Sequence, residues 1–272
     1  MFTSDRKNGG GVCGEYDTDA GLRAAWKDWV ICRMQQGTPM KITAPRVLAF
    51  DIFGTVVDWY GGIRREVEAL NLGVNGGEFA LAWRDGYQPA MRRVMSGELD
   101  WTLIDDLHRL ILDQLLERFE IGHLTEAQKR HLNKAWHRLD AWGDVLAGLT
   151  RLKTRHTICT LSNGNIGLLT NIAKHNRLPW DCVLSAEVFK AYKPDPATYL
   201  GVARVFDIDP ADVMLVAAHH DDLAAARACG LQTAYIERPL EFGPGQPKDI
   251  SPNSANSLHS KDFLTLADQL GC

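Results

Sequence analysis

Four uncharged apolar residues, Val47-Leu48-Ala49-Phe50, run directly into the carboxylate of Asp51. Gly54, Thr55 and a second acid, Asp58, follow at once. An apolar run with no polar alternation suits a strand buried on both faces, which is the condition of a strand inside a parallel sheet. In open α/β sheets the reactive groups gather at the carboxyl ends of the strands, where Asp51 would sit. Gly54 lets the chain turn sharply and bring backbone N–H groups close to an anion. Thr55 can cap the following helix or bond the carboxylate. Taken alone, the stretch also reads as a plain strand–turn–helix with a capping aspartate.

The chain beyond it repeats the strand–helix alternation. Strands are predicted at Thr157–Leu161, Cys182–Ser185, Val213–Ala217 and Gln232–Ile236, and helices at Leu168–Asn176, Ala197–Phe206, Leu223–Cys229 and Phe263–Leu270. Such alternation implies right-handed crossovers and a parallel sheet, the α/β class. Between the first two strands, apolar residues recur every three to four positions, as at Leu103, Leu107, Leu110, Ile111 and Leu115. That period predicts helices with no strand among them. A first helix is expected from Ile63 to Leu70, after Gly61-Gly62, and roughly four more from Glu78 to Ala141. The expected organisation is a core of residues 45–60 and 142–272, a helical insertion over 61–141, and a peripheral or flexible extension over 1–44. The extension holds one expected helix, Ala20–Met34, and Met40, just before the first strand, is the expected translation start. Arg238–Ser257, rich in Pro, Gly, Ser and Asn, reads as a long loop.

Composition excludes several functions. The 272 residues carry a net charge of −4 with acids and bases interspersed, which leaves no basic footprint for nucleic acid. No run approaches the roughly 18 apolar residues of a membrane helix. The polar, glycine-rich N-terminus does not resemble a secretory signal. The six cysteines form no CxxC pair, and Cys159 and Cys182 lie in apolar runs, as free thiols of a reducing cytosol do. A cytoplasmic protein acting on a small molecule is expected.

Polar residues then fall at four strand ends: Asp51 with Thr55, Ser162 with Asn163, Lys193 beyond the third strand, and His219 to Asp222 after the fourth. Each has a plain reading as a cap or a solvated loop residue. Together, on one edge of one sheet, they describe a site. Their order resembles the four motifs of the haloacid dehalogenase superfamily, over about residues 46–237. The resemblance implies a Rossmann-like three-layer core with a parallel sheet and an inserted all-helical cap over the site.

The second position after the nucleophile separates the branches of that family. Its phosphatases place an Asp there as general acid. Here it is Phe53, and the type II, or L-2-haloacid, dehalogenases carry an aromatic at that position. Leu161-Ser162-Asn163-Gly164, the Lys193-Pro194-Asp195-Pro196-Ala197-Thr198-Tyr199 segment and Trp83-Arg84 resemble the same branch. One departure is Ala217-Ala218-His219-His220-Asp221-Asp222, where histidine stands for the usual asparagine. It resembles a branch that includes enzymes removing fluoride.

The resemblance implies hydrolysis of (S)-2-haloacids or haloacetates to 2-hydroxy acids. Asp51 would displace halide and form an aspartyl ester that water then opens. Lys193 would keep Asp51 ionised, Thr55 and Ser162 would bind the carboxylates, and Arg84 and Asn163 would receive the halide. Phe53 and Trp101 would exclude water, and Ile52 and Tyr199 complete the substrate-facing set. Asp222, with His219, would orient or deprotonate the hydrolytic water, although His219 also reads as a hydrogen-bonded turn residue. The resemblance implies no cofactor, no metal and a homodimer. Two alternatives stand beside this reading. One is a Mg²⁺-dependent phosphatase using Asp51, Asp221 and Asp222 as oxygen ligands. The other is a non-catalytic binding module.

Overall fold

The computed structural model describes residues 44–272, and the strand that opens it lies at the middle of a six-stranded, all-parallel sheet. In chain order the strands are β1 (Val47–Phe50), β2 (Thr157–Ser162), β3 (Cys182–Ser185), β4 (Val213–Ala217), β5 (Gln232–Ile236) and β6 (Leu258–Ser260). Their spatial order is β3-β2-β1-β4-β5-β6. The order reverses beside β1, and that reversal opens a crevice at the carboxyl ends of the strands.

Register places the site. Phe50 pairs with Thr160 of β2 and with Val216 of β4, so Asp51, just past β1, comes level with Leu161 and Ala217 near the carboxyl ends of their strands. β1 is buried over its whole length. Leu48 and Phe50 enter one apolar layer, and Val47 and Ala49 enter the other. The period-2 side-chain geometry of a strand thus feeds helices on both faces, which explains why the sequence run carries no polar residue.

The helical insertion between β1 and β2 comprises α1 (Trp59–Ala69), α2 (Gly76–Met95), α3 (Ile104–Arg118) and α4 (Glu126–Asn133), then a 3₁₀ turn, Lys134–Arg138. Its apolar faces, among them Phe79, Trp83, Tyr87 and Leu107, join the layer that includes Phe50. In the core follow α5 (Val145–Leu152), α6 (Ile166–Asn176), α7 (Ala186–Phe189), α8 (Pro196–Val205), α9 (His220–Ala228) and α10 (Phe263–Gln269).

Sequence expectations need correction in four places. The first helix begins at Trp59, not after Gly61-Gly62, because the Asp58 side chain caps it through the Gly61 N–H at 2.8 Å. That cap requires glycine at 61, since a Cβ there would meet Asp58 Oδ2 at 2.1 Å. α5 was not expected at all; it packs closely on α10, as at Gly148 against Phe263. β6 was hidden at the end of the long loop, too short for any alternation to register. α9 starts at His220, three residues early, because Asp221 and Asp222 occupy its first turn and favour the helix dipole. The expected Ala20–Met34 helix, Met40 and the peripheral extension lie outside the described residues, apart from Ala44. Among the described residues no helix is long and apolar enough to cross a membrane.

Candidate active site

Asp51 leaves β1 with its backbone N–H still bonded to Val216 O at 3.0 Å, so the carboxylate inherits the rigidity of the sheet. Gly54 then turns the chain with φ +87°, and a Cβ there would lie 2.2 Å from Glu241 Oε1. Glycine is required twice at this position, for the left-handed backbone and for the approach of a buried acid. Thr55 donates to Asp51 Oδ2 at 2.7 Å and accepts the Ala218 N–H at 2.9 Å, tying the β1 turn to the end of β4.

A chain of alternating charges crosses the site. Lys193 Nζ donates to Asp51 Oδ1 at 2.9 Å and to Asp222 Oδ2 at 2.6 Å. Tyr199 donates to Asp222 Oδ1 at 2.7 Å. On the other side, His219 Nδ1 lies 3.3 Å from Asp51 Oδ2, and its Nε2 lies 2.8 Å from Glu241 Oε1. Glu241 also accepts from Trp59 Nε1 at 3.2 Å and from Lys248 Nζ. Three carboxylates and three cations therefore balance in a nearly buried row. Such a row keeps its charges only because each has opposite neighbours.

The titration behaviour follows from those neighbours. Burial works to raise the Asp51 carboxyl, but Lys193 and His219 overcome it and hold Asp51 well below the usual carboxylate range. Burial works to lower His219, and Glu241 and Asp51 reverse that, pushing it up to about 9. Glu241 is buried, yet His219 and Lys248 hold it at about 2. Asp222 is pushed upward by burial and by the Asp51 charge against the pull of Lys193. Asp51 is thus a buried, ionised carboxylate. Since Glu241 is an anion that can only accept, His219 Nε2 must carry a proton toward it, which leaves Nδ1 as the nitrogen that titrates beside Asp51.

The insertion supplies the other wall. Phe53 meets the rings of Tyr87, His108 and Trp136 edge-on, at centroid distances of 6.4, 6.5 and 5.8 Å. Arg84 Cζ lies 4.5 Å from the Tyr87 ring centroid and 5.6 Å from that of Trp59. Trp101 stacks on Tyr192 at 4.9 Å, and Tyr192 donates to Thr102 O at 2.6 Å, which links insertion and core.

The remaining expected residues are less free. Ser162 is buried and accepts the Gly164 N–H at 3.2 Å. Asn163 Oδ1 accepts the Lys193 N–H at 2.7 Å and so positions the lysine. Ile52 lies in the apolar layer, its carbonyl accepting from Val56 and Val57. The Tyr199 hydroxyl is committed to Asp222. Asp221 is exposed, and its carboxylate caps the Asp222 N–H.

Sequence reading missed Glu241, Lys248, Trp59, Tyr87, His108 and Trp136. Glu241 and Lys248 sit in a loop whose composition signals only irregular structure. A signal existed for Tyr87, which falls three residues after Arg84 and so shares its helix face.

A family model described as haloacid dehalogenase-like hydrolase matches residues 45–230. The chain is 30% identical over 206 residues to (S)-2-haloacid dehalogenase 1 of Pseudomonas sp. (strain CBS-3), covering 72% of this chain and 88% of that protein. Among solved structures, the L-2-haloacid dehalogenase PA0810 is 45% identical with a TM-score of 0.80, over 83% of this chain and 99% of its own. The defluorinating L-2-haloacid dehalogenase Rha0230 is 40% identical with a TM-score of 0.82, over 86% of this chain and 98% of its own.

Proposed function

Because the chain belongs to the haloacid dehalogenase-like hydrolases, we propose that it is a hydrolytic dehalogenase converting (S)-2-haloacids or haloacetates to 2-hydroxy acids. One observation carries this reading over the phosphatase alternative. The residue two beyond the nucleophile is Phe53, packed edge-on into aromatic rings, so that position has no proton for an alkoxide leaving group. A halide leaves without one.

In the first step an Asp51 carboxylate oxygen attacks C2 from the face opposite the halogen. The new C–O bond forms as the carbon–halogen bond breaks, and halide departs with its electron pair, leaving an ester of inverted configuration. Lys193 holds the nucleophile anionic, Arg84 and Asn163 offer donors to substrate and halide, and Ser162 supports the strand end beside them. Phe53 and Trp101 limit water at this stage.

In the second step water attacks Cγ of Asp51. Esterification has removed the anion 3.3 Å from His219 Nδ1, so the proton there is less firmly held and can be lost. Neutral His219, held by Glu241, then takes a proton from the water as general base. Thr55 donates to the developing oxyanion, and the bond from Cγ to the substrate oxygen breaks as that oxygen takes the proton His219 drew from the water. The product hydroxyl therefore carries an oxygen from Asp51. Asp222 fixes Lys193, with Tyr199 behind it. Covalent catalysis divides one hard displacement into two easier steps.

In this reading residues 45–60 and 142–272 form the catalytic core and 61–141 the cap. The protein works in the cytoplasm, as a homodimer, on a small anionic substrate; light scattering on the purified chain tests the dimer. Fluoride is among the leaving groups proposed, supported by the likeness to Rha0230.

Halide release from L- and D-2-chloropropionate, chloroacetate and fluoroacetate tests the reading, with EDTA or with Mg²⁺. Release from the L isomer at a rate unchanged by EDTA is expected. Mg²⁺-dependent hydrolysis of an aryl phosphate with no halide from any acid would reverse it.

A further inference from the structure

We infer that Tyr87 and Trp59 form an aromatic clamp that positions Arg84 over the reacting atoms while leaving its charge uncompensated. The inference rests on the reading of Arg84 as the group that meets substrate or halide, and adds what holds it there. Among the described residues Arg84 forms no ion pair, and its Nη1 is buried without a hydrogen-bond partner. Arg84 is half-buried, and a guanidinium with a nitrogen shut away from water normally has a carboxylate beside it. Here two ring faces take that place, at 4.5 and 5.6 Å from Cζ, inside the range of cation–π attraction.

The choice of partner has a chemical consequence. A carboxylate would hold the guanidinium more strongly but would cancel the charge that an anionic substrate or a departing halide needs. It would also repel that anion. Ring faces hold the cation through their quadrupoles and cancel nothing.

What stands behind the clamp fits this purpose. The Tyr87 ring stacks on His108 at 5.7 Å, and His108 stacks on Trp136 at 4.3 Å. His108 is fully buried and neither ring nitrogen has a hydrogen-bond partner among the described residues; burial pushes its pKa down to about 3, with Arg84 acting the same way against Asp105. The stack therefore puts no second cation behind Arg84 and locks the Tyr87 ring against tilting. Trp59 is also shared: its Nε1 donates to Glu241, the acid that holds His219. One indole thus aligns the guanidinium of the first step with the base of the second.

The test uses the full-length protein and chloride release from chloroacetate. Tyr87→Phe keeps the ring face and serves as the reference. Phenylalanine carrying three ring fluorines at position 87 keeps the shape and withdraws the electron density that attracts the cation. Relative to Tyr87→Phe, fluorination is expected to lower kcat/KM by about tenfold, the scale of a desolvated cation–π contact. In an Arg84→Ala background it is expected to change nothing. Equal rates for the two ring variants, with Arg84→Ala severely impaired, would overturn the clamp and leave the role of Arg84 standing. An Arg84→Ala variant as active as the parent would overturn both.

Discussion

Asp51→Asn is expected to abolish turnover while leaving the protein folded. The amide keeps the size of the side chain and can still accept from Thr55, but it cannot displace a halide. The loss should be on the order of 10⁴-fold or more, the scale seen when a covalent nucleophile is removed. Leaving a buried charge without a partner costs about 3–5 kcal/mol. Here Lys193 keeps Asp222 at 2.6 Å and His219 keeps Glu241 at 2.8 Å, so the loss of stability should be smaller than that. Halide release measured beside thermal unfolding separates the two effects. Unchanged turnover would exclude both enzyme readings and favour the binding module.

His219→Asn is expected to split the reaction at its midpoint. Alkylation needs Asp51 ionised, and Lys193 still secures that, so halide should appear in a burst of up to one equivalent. Hydrolysis then lacks its base and should slow by roughly 10²–10⁴-fold, the usual contribution of general-base catalysis. The ester would accumulate and add the mass of the substrate's carboxyalkyl group to the peptide that contains Asp51. The pH dependence follows with a definite sign. Neutral His219 is the working form in hydrolysis, so the parent enzyme's ester hydrolysis should rise with pH to a plateau. Its midpoint should fall below the value of about 9 that holds with Asp51 ionised, because the ester no longer supports the imidazolium. The variant should lose that rise. Equal pH profiles for parent and variant would remove His219 from the second step.

The parts of the site legible in the sequence are those carried by the strands. An uncharged run ending in Asp51 announces a central parallel strand, and the register then forces Ser162 and the residues after Ala217 to the same edge. Lys193 and Asp222 were legible for the same reason. Arg84 was legible only through resemblance, since helical periodicity says nothing about which turn of a long helix overhangs the sheet. Glu241 was not legible at all. Its neighbours are loop-forming residues, and its purpose depends on a contact 22 residues away with His219 and on the missing Cβ of Gly54. The same limit hid the ring stack, whose members come from α2, α3 and the 3₁₀ turn. Apolar spacing marks Tyr87, His108 and Trp136 as buried without indicating that they face one another.

The covalent role of Asp51 is the claim on which the rest depends, and one turnover in H₂¹⁸O tests it most directly. With enzyme in excess over L-2-chloropropionate, the account predicts lactate whose hydroxyl oxygen is ¹⁶O. It also predicts one ¹⁸O in the peptide that contains Asp51. Lactate carrying ¹⁸O in that first turnover, with the Asp51 peptide unlabelled, would mean that water displaces the halide directly and would contradict the account.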